Sequence, residues 1–174
     1  MVRRQIIAID LDDVLCDFTN PFLEFLWKEG WSYKGHRMER GDIAGSFTES
    51  GAPKGLIHRF SVCETGKLLP DENAIVAIHQ LSKIYTIICV TARPPESAPE
   101  TFGWIRRNFP KIVGTLLTTD KGQACEAIGA TVLIEDQLRY ACQWNSLVLA
   151  KEWNVEWEGK RGDWNWITKQ LIDR

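Results

Sequence analysis

Ile6-Ile7-Ala8-Ile9-Asp10-Leu11-Asp12-Asp13-Val14-Leu15 joins a run of apolar, β-prone residues to two carboxylates spaced two positions apart. The run does not alternate with polar residues, so it reads as a strand covered on both faces, as in a parallel sheet flanked by helices. Successive side chains of a strand point to opposite sides. If the chain turns after Asp10, that carboxylate can face a reacting centre while Asp12 stands over a neighbouring atom.

Three further clusters follow the same rule: Val90-Thr91-Ala92-Arg93, Asp120-Lys121-Gly122 and Ile134-Glu135-Asp136. Each lies at the downstream end of an apolar run. The runs cover residues 5–9, 85–90, 113–118 and 131–134, with one more at 146–150. Helical patterns separate the later ones. Asp71 is placed to cap a helix whose Ala74, Ala77, Ile78 and Leu81 fall at i, i+3, i+4 and i+7. A segment at about 97–109 sets Phe102, Ile105 and Phe109 on one side, and a last one aligns Trp164, Ile167 and Leu171. Short helices are expected after Asp120 and Asp136. Strands alternating with helices imply right-handed crossovers and a five-stranded parallel sheet, an α/β fold of Rossmann type.

The interval between the first two strands is the exception. It runs from about Phe18 to Pro70, far beyond what one crossover helix needs. Asn20-Pro21 marks a helix start and Gly30 a stop. A structureless loop of this length is improbable in a compact domain. The expected organisation is therefore a core of residues 1–17 and 71–174 with a small helical cap, residues 18–70, inserted after the first strand.

Composition narrows the function classes. The 174 residues are 44% hydrophobic and 25% charged, ordinary for one globular domain. A net charge of −2 makes no electrostatic case for a nucleic-acid polymer or a membrane surface. No apolar stretch approaches the roughly 18–20 residues of a spanning helix. Arg3 and Arg4 precede an apolar run, but that run ends at Asp10, which reads as a buried strand and not a signal peptide. Five cysteines with no CxxC pair argue against a zinc site or a disulfide framework and favour a reducing, cytoplasmic setting. Cys89, inside an apolar run, is expected to pack as a small hydrophobe. The tryptophans crowding the C-terminus (Trp153, Trp157, Trp164, Trp166) read as core or subunit packing.

Taken singly, each cluster has a plainer reading. A DxD is often a turn, Thr91 could end a strand, Lys121 could be a solvated lysine, and Glu135-Asp136 could cap a helix. Ligands of an open parallel sheet bind beyond the carboxyl ends of its strands, which brings all four clusters to one rim. There they describe phosphoryl transfer: a carboxylate nucleophile, a neighbour that protonates the leaving alcohol and then activates water, and cations to offset the phosphate. Mg²⁺ suits all-oxygen ligation of this kind, with Asp136 completing its shell and Glu135 as a second ligand or an outer acceptor. Lys121 supplies a point charge. Thr91 supplies a hydroxyl, and the backbone at Ala92 and Arg93 supplies N–H groups.

These residues resemble the haloacid dehalogenase (HAD) superfamily of phosphohydrolases. Its first motif, DxDx(V/T)(L/V) after an apolar strand, matches Asp10 to Leu15. Its Ser or Thr motif matches Thr91, its lysine Lys121, and its acidic pair Glu135-Asp136. The resemblance implies Asp10 as nucleophile, Asp12 as acid/base, Thr91 and Lys121 as phosphate ligands, and Mg²⁺ held by Asp10, the Asp12 carbonyl and Asp136. Within the superfamily the chain is most similar to the 5'(3')-deoxyribonucleotidase type. The cap position, Asp17-Phe18 and the tail Trp153-Asn154…Arg161…Asp163-Trp164 carry that likeness. It implies Phe18 as a platform for a nucleobase, with Trp27, Trp31 and Phe47 as further aromatic partners. Asp13 departs from the glycine commoner at its position, and Glu135 from the usual aspartate. Arg93 is open to a role at the phosphate or at a second charged group of the substrate. The expected substrate is a small phosphoester, foremost a nucleoside monophosphate. A sugar phosphate, a non-catalytic binding protein on the same fold, and a homodimer whose second subunit covers the cap's open mouth remain as alternatives.

Overall fold

The computed structural model describes residues 4–31 and 55–173. At its centre β1 (Ile6–Ile9) pairs in parallel with β2 (Thr86–Thr91) on one side and β4 (Ala130–Glu135) on the other. β3 (Ile112–Leu117) adds outside β2, and β5 (Ser146–Leu149) and then β6 (Arg161–Gly162) add outside β4. The strand order β3-β2-β1-β4-β5-β6 reverses direction between β1 and β4. That reversal opens a crevice beyond the carboxyl ends of those two strands, the place where doubly wound sheets bind ligands.

The expected five strands stand within a residue of their predicted ends. The sixth, β6, was not anticipated. It is two residues long and made of Arg161 and Gly162, so it carries no apolar run, and only pairing with β5 reveals it.

The helices follow the predicted alternation. α1 (Thr19–Lys28) and α2 (Leu56–Cys63) lie between β1 and β2, followed by α3 (Glu72–Leu81). α4 (Ala98–Asn108) connects β2 to β3, α5 (Lys121–Ile128) connects β3 to β4, and the single turn α6 (Leu138–Ala141) follows β4. α7 (Trp164–Ile172) closes the chain and packs against α3, where the Tyr85 hydroxyl donates to the Leu171 carbonyl at 2.7 Å. Asp71 caps α3 as expected, accepting from the N–H groups of Asn73 and Ala74.

Two helices differ from expectation in instructive ways. α1 starts at Thr19, ahead of Asn20-Pro21, because the Asp13 carboxylate accepts from the N–H groups of Phe18 and Thr19 at 3.0 Å each. In α4 the inward stripe is Thr101, Trp104 and Ile105, and Phe102 is 46% exposed. Phe109 lies beyond the helix end, so the helical spacing that aligned it with Phe102 does not apply. Trp104 takes the inner position because its indole N–H finds the Leu68 carbonyl at 2.8 Å.

The sheet faces are unequal. Ile7, Ile9, Ile87, Cys89, Ile134 and Leu147 join a large core with α1, α3, α4 and α7. The opposite face, built on Ala8, Val90 and Leu133, is covered more thinly by α5. The described helices of the insert do not stand apart from this core. Phe18, Phe22, Leu26 and Phe60 belong to the large cluster, with Phe18 and Phe60 edge to face at 5.1 Å between centroids. No helix among the described residues is long and apolar enough to cross a membrane.

Candidate active site

The register of three strands builds the site. Ile9 lies opposite Cys89 on β2 and Ile134 on β4, and the Asp10 N–H donates to the Ile134 carbonyl at 2.9 Å. Asp10 therefore leaves β1 beside Glu135 and Asp136. Lys121 is the first residue of α5, whose cap is the Asp120 carboxylate accepting from the Gln123 N–H. Its side chain is 1% exposed and its Nζ bridges Asp10 at 2.7 Å and Glu135 at 2.6 Å. The aromatic face of Tyr140 lies 4.4 Å from the same ammonium.

Oxygens of Asp10, Glu135 and Asp136 lie within 4.8 Å of one another. Three buried carboxylates face one lysine, so the cluster is short of positive charge. The consequences follow in the acid–base behaviour. Burial, and after it Glu135, pushes the Asp10 carboxyl up to about 8 against the pull of Lys121. Burial, then Glu135 and Asp10, raises Asp136 well above the ordinary carboxylate range. Desolvation works against the Lys121 charge, but Asp10 and Glu135 outweigh it and keep the ammonium protonated.

A divalent cation fits this donor set. Asp136 Oδ2 accepts from the indole N–H of Trp153 at 2.9 Å, and Asn154 Nδ2 donates to the Asp136 carbonyl at 2.8 Å. Asp136 Oδ1 is buried and has no hydrogen-bond partner among the described residues. An orphaned buried carboxylate oxygen beside a second carboxylate is the kind of acceptor that hard cations such as Mg²⁺ satisfy. Glu135 is less available, because it receives Lys121 on Oε2 and the N–H groups of Asp136 and Gln137 on Oε1.

Above this floor opens a cavity of about 640 Å³. Asp10, Asp12, Ala92 and Arg93 reach it from the sheet, and Phe18, Ile57, His58 and Ser61 from the insert. Asp12 is the partly exposed acid, its side chain 19% accessible. Thr91 ends β2 fully buried, its hydroxyl accepting from the Arg93 N–H at 3.4 Å. Arg93 is buried too, and its guanidinium is turned onto Asp12, with Nε 3.0 Å from Oδ2.

The aromatic partners proposed from sequence fare differently. Phe18 lines the cavity. Trp27 is 77% exposed, and Trp31 packs on the core; neither is among the lining residues. Phe47 lies outside the described residues. Sequence reading missed the supports of Asp136, Trp153 and Asn154, which the tail pattern contained but which nothing connected to the site. It also missed Tyr140, four residues past Asp136. Asp13, at φ 58°, occupies the left-handed region that favours glycine, which accounts for glycine being commoner there and makes the aspartate the strained choice. Its carboxylate finds compensation as the cap of α1.

The family model described as 5' nucleotidase, deoxy (pyrimidine), cytosolic type C protein (NT5C) matches residues 4–173. The chain belongs to this family. Membership in this nucleotidase family makes it a phosphoric monoester hydrolase on the HAD fold. No curated protein matches the chain. Among solved structures, a haloacid dehalogenase-like family hydrolase from Streptococcus pneumoniae is similar at a TM-score of 0.60, with 14% identity and 86% of each chain covered. A haloacid dehalogenase-like family hydrolase from Xanthomonas campestris is similar at 0.61, with 8% identity over 98% of this chain and 95% of the other. A 2-haloacid dehalogenase from Pseudomonas syringae is similar at 0.52, with 12% identity over 98% of this chain and 99% of the other. At these identities the likeness concerns the fold, which hosts more than one chemistry.

Proposed function

We propose that the protein is a Mg²⁺-dependent phosphomonoesterase acting on a deoxynucleoside monophosphate through an aspartyl-phosphate formed on Asp10. The observation that carries this reading is the acidic cluster, with its unpartnered Asp136 Oδ1, meeting through Asp10 a cavity that also presents the apolar side chains of Phe18, Ile57 and Leu117. Such a site divides a substrate into a doubly charged end and a planar end. The family to which the chain belongs supports the nucleotide as that substrate.

In this reading Asp10 attacks phosphorus, and the new bond forms as the ester oxygen leaves on the opposite side. Asp12 gives that oxygen its proton and becomes a carboxylate, which then takes a proton from water as the water cleaves the acyl phosphate. Lys121, held by Asp10 and Glu135, faces the non-bridging oxygens together with the backbone around Ala92 and the Thr91 hydroxyl. Asp10, Asp136 and the Asp12 carbonyl would hold Mg²⁺, and Trp153 and Asn154 orient Asp136 for it. When bound, the ion neutralises charge on the phosphoryl group and on the carboxylates around it. Phe18 offers a flat apolar surface to the leaving group, and residues 18–70 act as the cap that excludes bulk water.

A panel of phosphomonoesters assayed with and without Mg²⁺ tests this reading. The expected result is metal-dependent release of phosphate, fastest from deoxynucleoside monophosphates. A preference for sugar phosphates would keep the chemistry and replace the substrate. Asp10→Asn is expected to lower turnover by on the order of 10⁴-fold or more, as loss of a covalent nucleophile does, with the fold retained. Full activity in that variant would remove the nucleophile from the scheme.

A further inference from the structure

We infer that Arg93 is a positioning residue for Asp12, and that its guanidinium fixes where the leaving oxygen receives its proton. The inference rests on the phosphomonoesterase reading and deepens it. Arg93 follows Thr91 at the end of β2, so its place at the rim allows a role as one more phosphate ligand. The hydrogen bonds point elsewhere. Nε donates to both oxygens of Asp12, at 3.1 and 3.0 Å, and Nη2 donates to Oδ1. Nη1 donates to the Thr65 hydroxyl at 2.7 Å and to the Thr101 hydroxyl at 3.3 Å. The fork is thus largely spent on protein acceptors, and the side chain is 2% exposed.

The anchors give the arrangement its meaning. Thr65 belongs to the insert and is fully buried, and Thr101 belongs to α4 of the core and is also fully buried. Phe18 covers the guanidinium from a third side, 5.7 Å from its ring centroid. Among the described residues Asp12 itself has few other restraints, since it follows Leu11 in the turn after β1 and leaves its side chain partly open to the cavity. A carboxylate on such a turn samples several rotamers unless something holds it. A planar guanidinium fixed at its far end removes that freedom and sets the carboxylate plane. Because one anchor lies in the insert and the other in the core, the placement of the acid/base depends on both.

A positioning role and a phosphate-ligand role differ in which substrates they affect. Protonation by Asp12 matters for an alkyl ester, whose alkoxide is a poor leaving group. It matters little for p-nitrophenyl phosphate, whose phenolate leaves without a proton. Loss of a phosphate ligand would weaken both alike. The test is Arg93→Lys, which keeps the charge and loses the fork. The kcat/KM of a deoxynucleoside monophosphate, which reports the steps up to departure of the leaving group, is expected to fall about 100-fold, the scale of a misplacement near one ångström, with kcat/KM of p-nitrophenyl phosphate nearly unaffected. The kcat falls on both esters where the water step, which also uses Asp12, becomes limiting. Competitive inhibition by inorganic phosphate should stay as in the unchanged protein.

Thr65→Val, which removes an anchor and leaves the ion pair, should give the same selectivity at smaller size, and it carries the test if Arg93→Lys does not fold. Equal losses of kcat/KM on both esters with weaker inhibition by phosphate would overturn the inference in favour of direct phosphate binding. Unchanged rates on both would reduce the contact to packing and overturn it as well. If the unchanged protein hydrolyses the aryl ester but no nucleotide, the substrate reading fails separately. The comparison then uses whichever alkyl phosphate the panel identifies.

Discussion

Asp136 shows how the surroundings of a single residue are set by groups distant in the chain. One carboxylate oxygen is tied to the Trp153 indole, its carbonyl is tied to Asn154, and the other oxygen is left bare. The indole fixes the carboxylate without a charge of its own, so the bare oxygen keeps its full attraction for a cation. Trp153→Phe keeps the ring and deletes the donor. Its affinity for Mg²⁺, measured by calorimetric titration, is expected to weaken by about tenfold or more, the usual scale for outer partners of metal ligands. An unchanged affinity would mean that the indole only packs. The acidic residues themselves were legible in the sequence because their chemistry is local: carboxylates at strand ends advertise themselves. Trp153 was not, since an indole donor bears no mark of its acceptor until β4 and the segment after β5 are adjacent.

At the scale of elements, α5 is the one that carries Lys121 to Asp10 and Glu135. Gly122 follows Lys121, donates its N–H to the Gln143 side chain at 3.1 Å, and lies so close to the segment after α6 that a Cβ would meet the Gln143 carbonyl at 2.9 Å. The obstacle is backbone, which cannot swing aside as a side chain does. Gly122→Ala should therefore push the first turn of α5 outward and carry Lys121 away from Asp10 and Glu135. A loss of about 1–3 kcal/mol in chemical denaturation is expected, together with a drop in phosphatase activity. Wild-type stability in that variant would show that the neighbouring segment yields. Helices and strands with a strong period were readable in advance, as α3 and the five longer strands attest. The errors came where period gave no guidance. β6 has no apolar residue to betray it, and Phe102 lost its inner place to Trp104 because only the folded chain offers the Leu68 carbonyl to an indole.

For the molecule as a whole, the buried acidic cluster is a cost to folding that a bound cation would relieve. The Asp10 carboxyl stands at about 8 in the folded protein against 3.8 when exposed. Between those values the native state holds a proton that the unfolded chain has released, so stability falls as pH rises across that window. Asp136 acts in the same direction. Cation binding needs these groups ionised and so strengthens with pH. Thermal denaturation should show the metal-free protein losing stability from about pH 5 to about pH 8, with Mg²⁺ raising the midpoint more at the upper end. An equal shift at both ends would argue that the ion binds elsewhere.

The sequence alone determined the parallel α/β architecture and the identity of the acids, the threonine and the lysine at the strand ends. Both are recorded locally, in runs of apolar residues and in what stops them. Tertiary structure decided which side chain each of these groups faces: Arg93 on Asp12, Lys121 between Asp10 and Glu135, and Trp153 on Asp136. Those pairings depend on strand order and on where the insert rests. Hydrogen bonds and ion pairs act over a few ångströms of space and are indifferent to the length of chain between the partners.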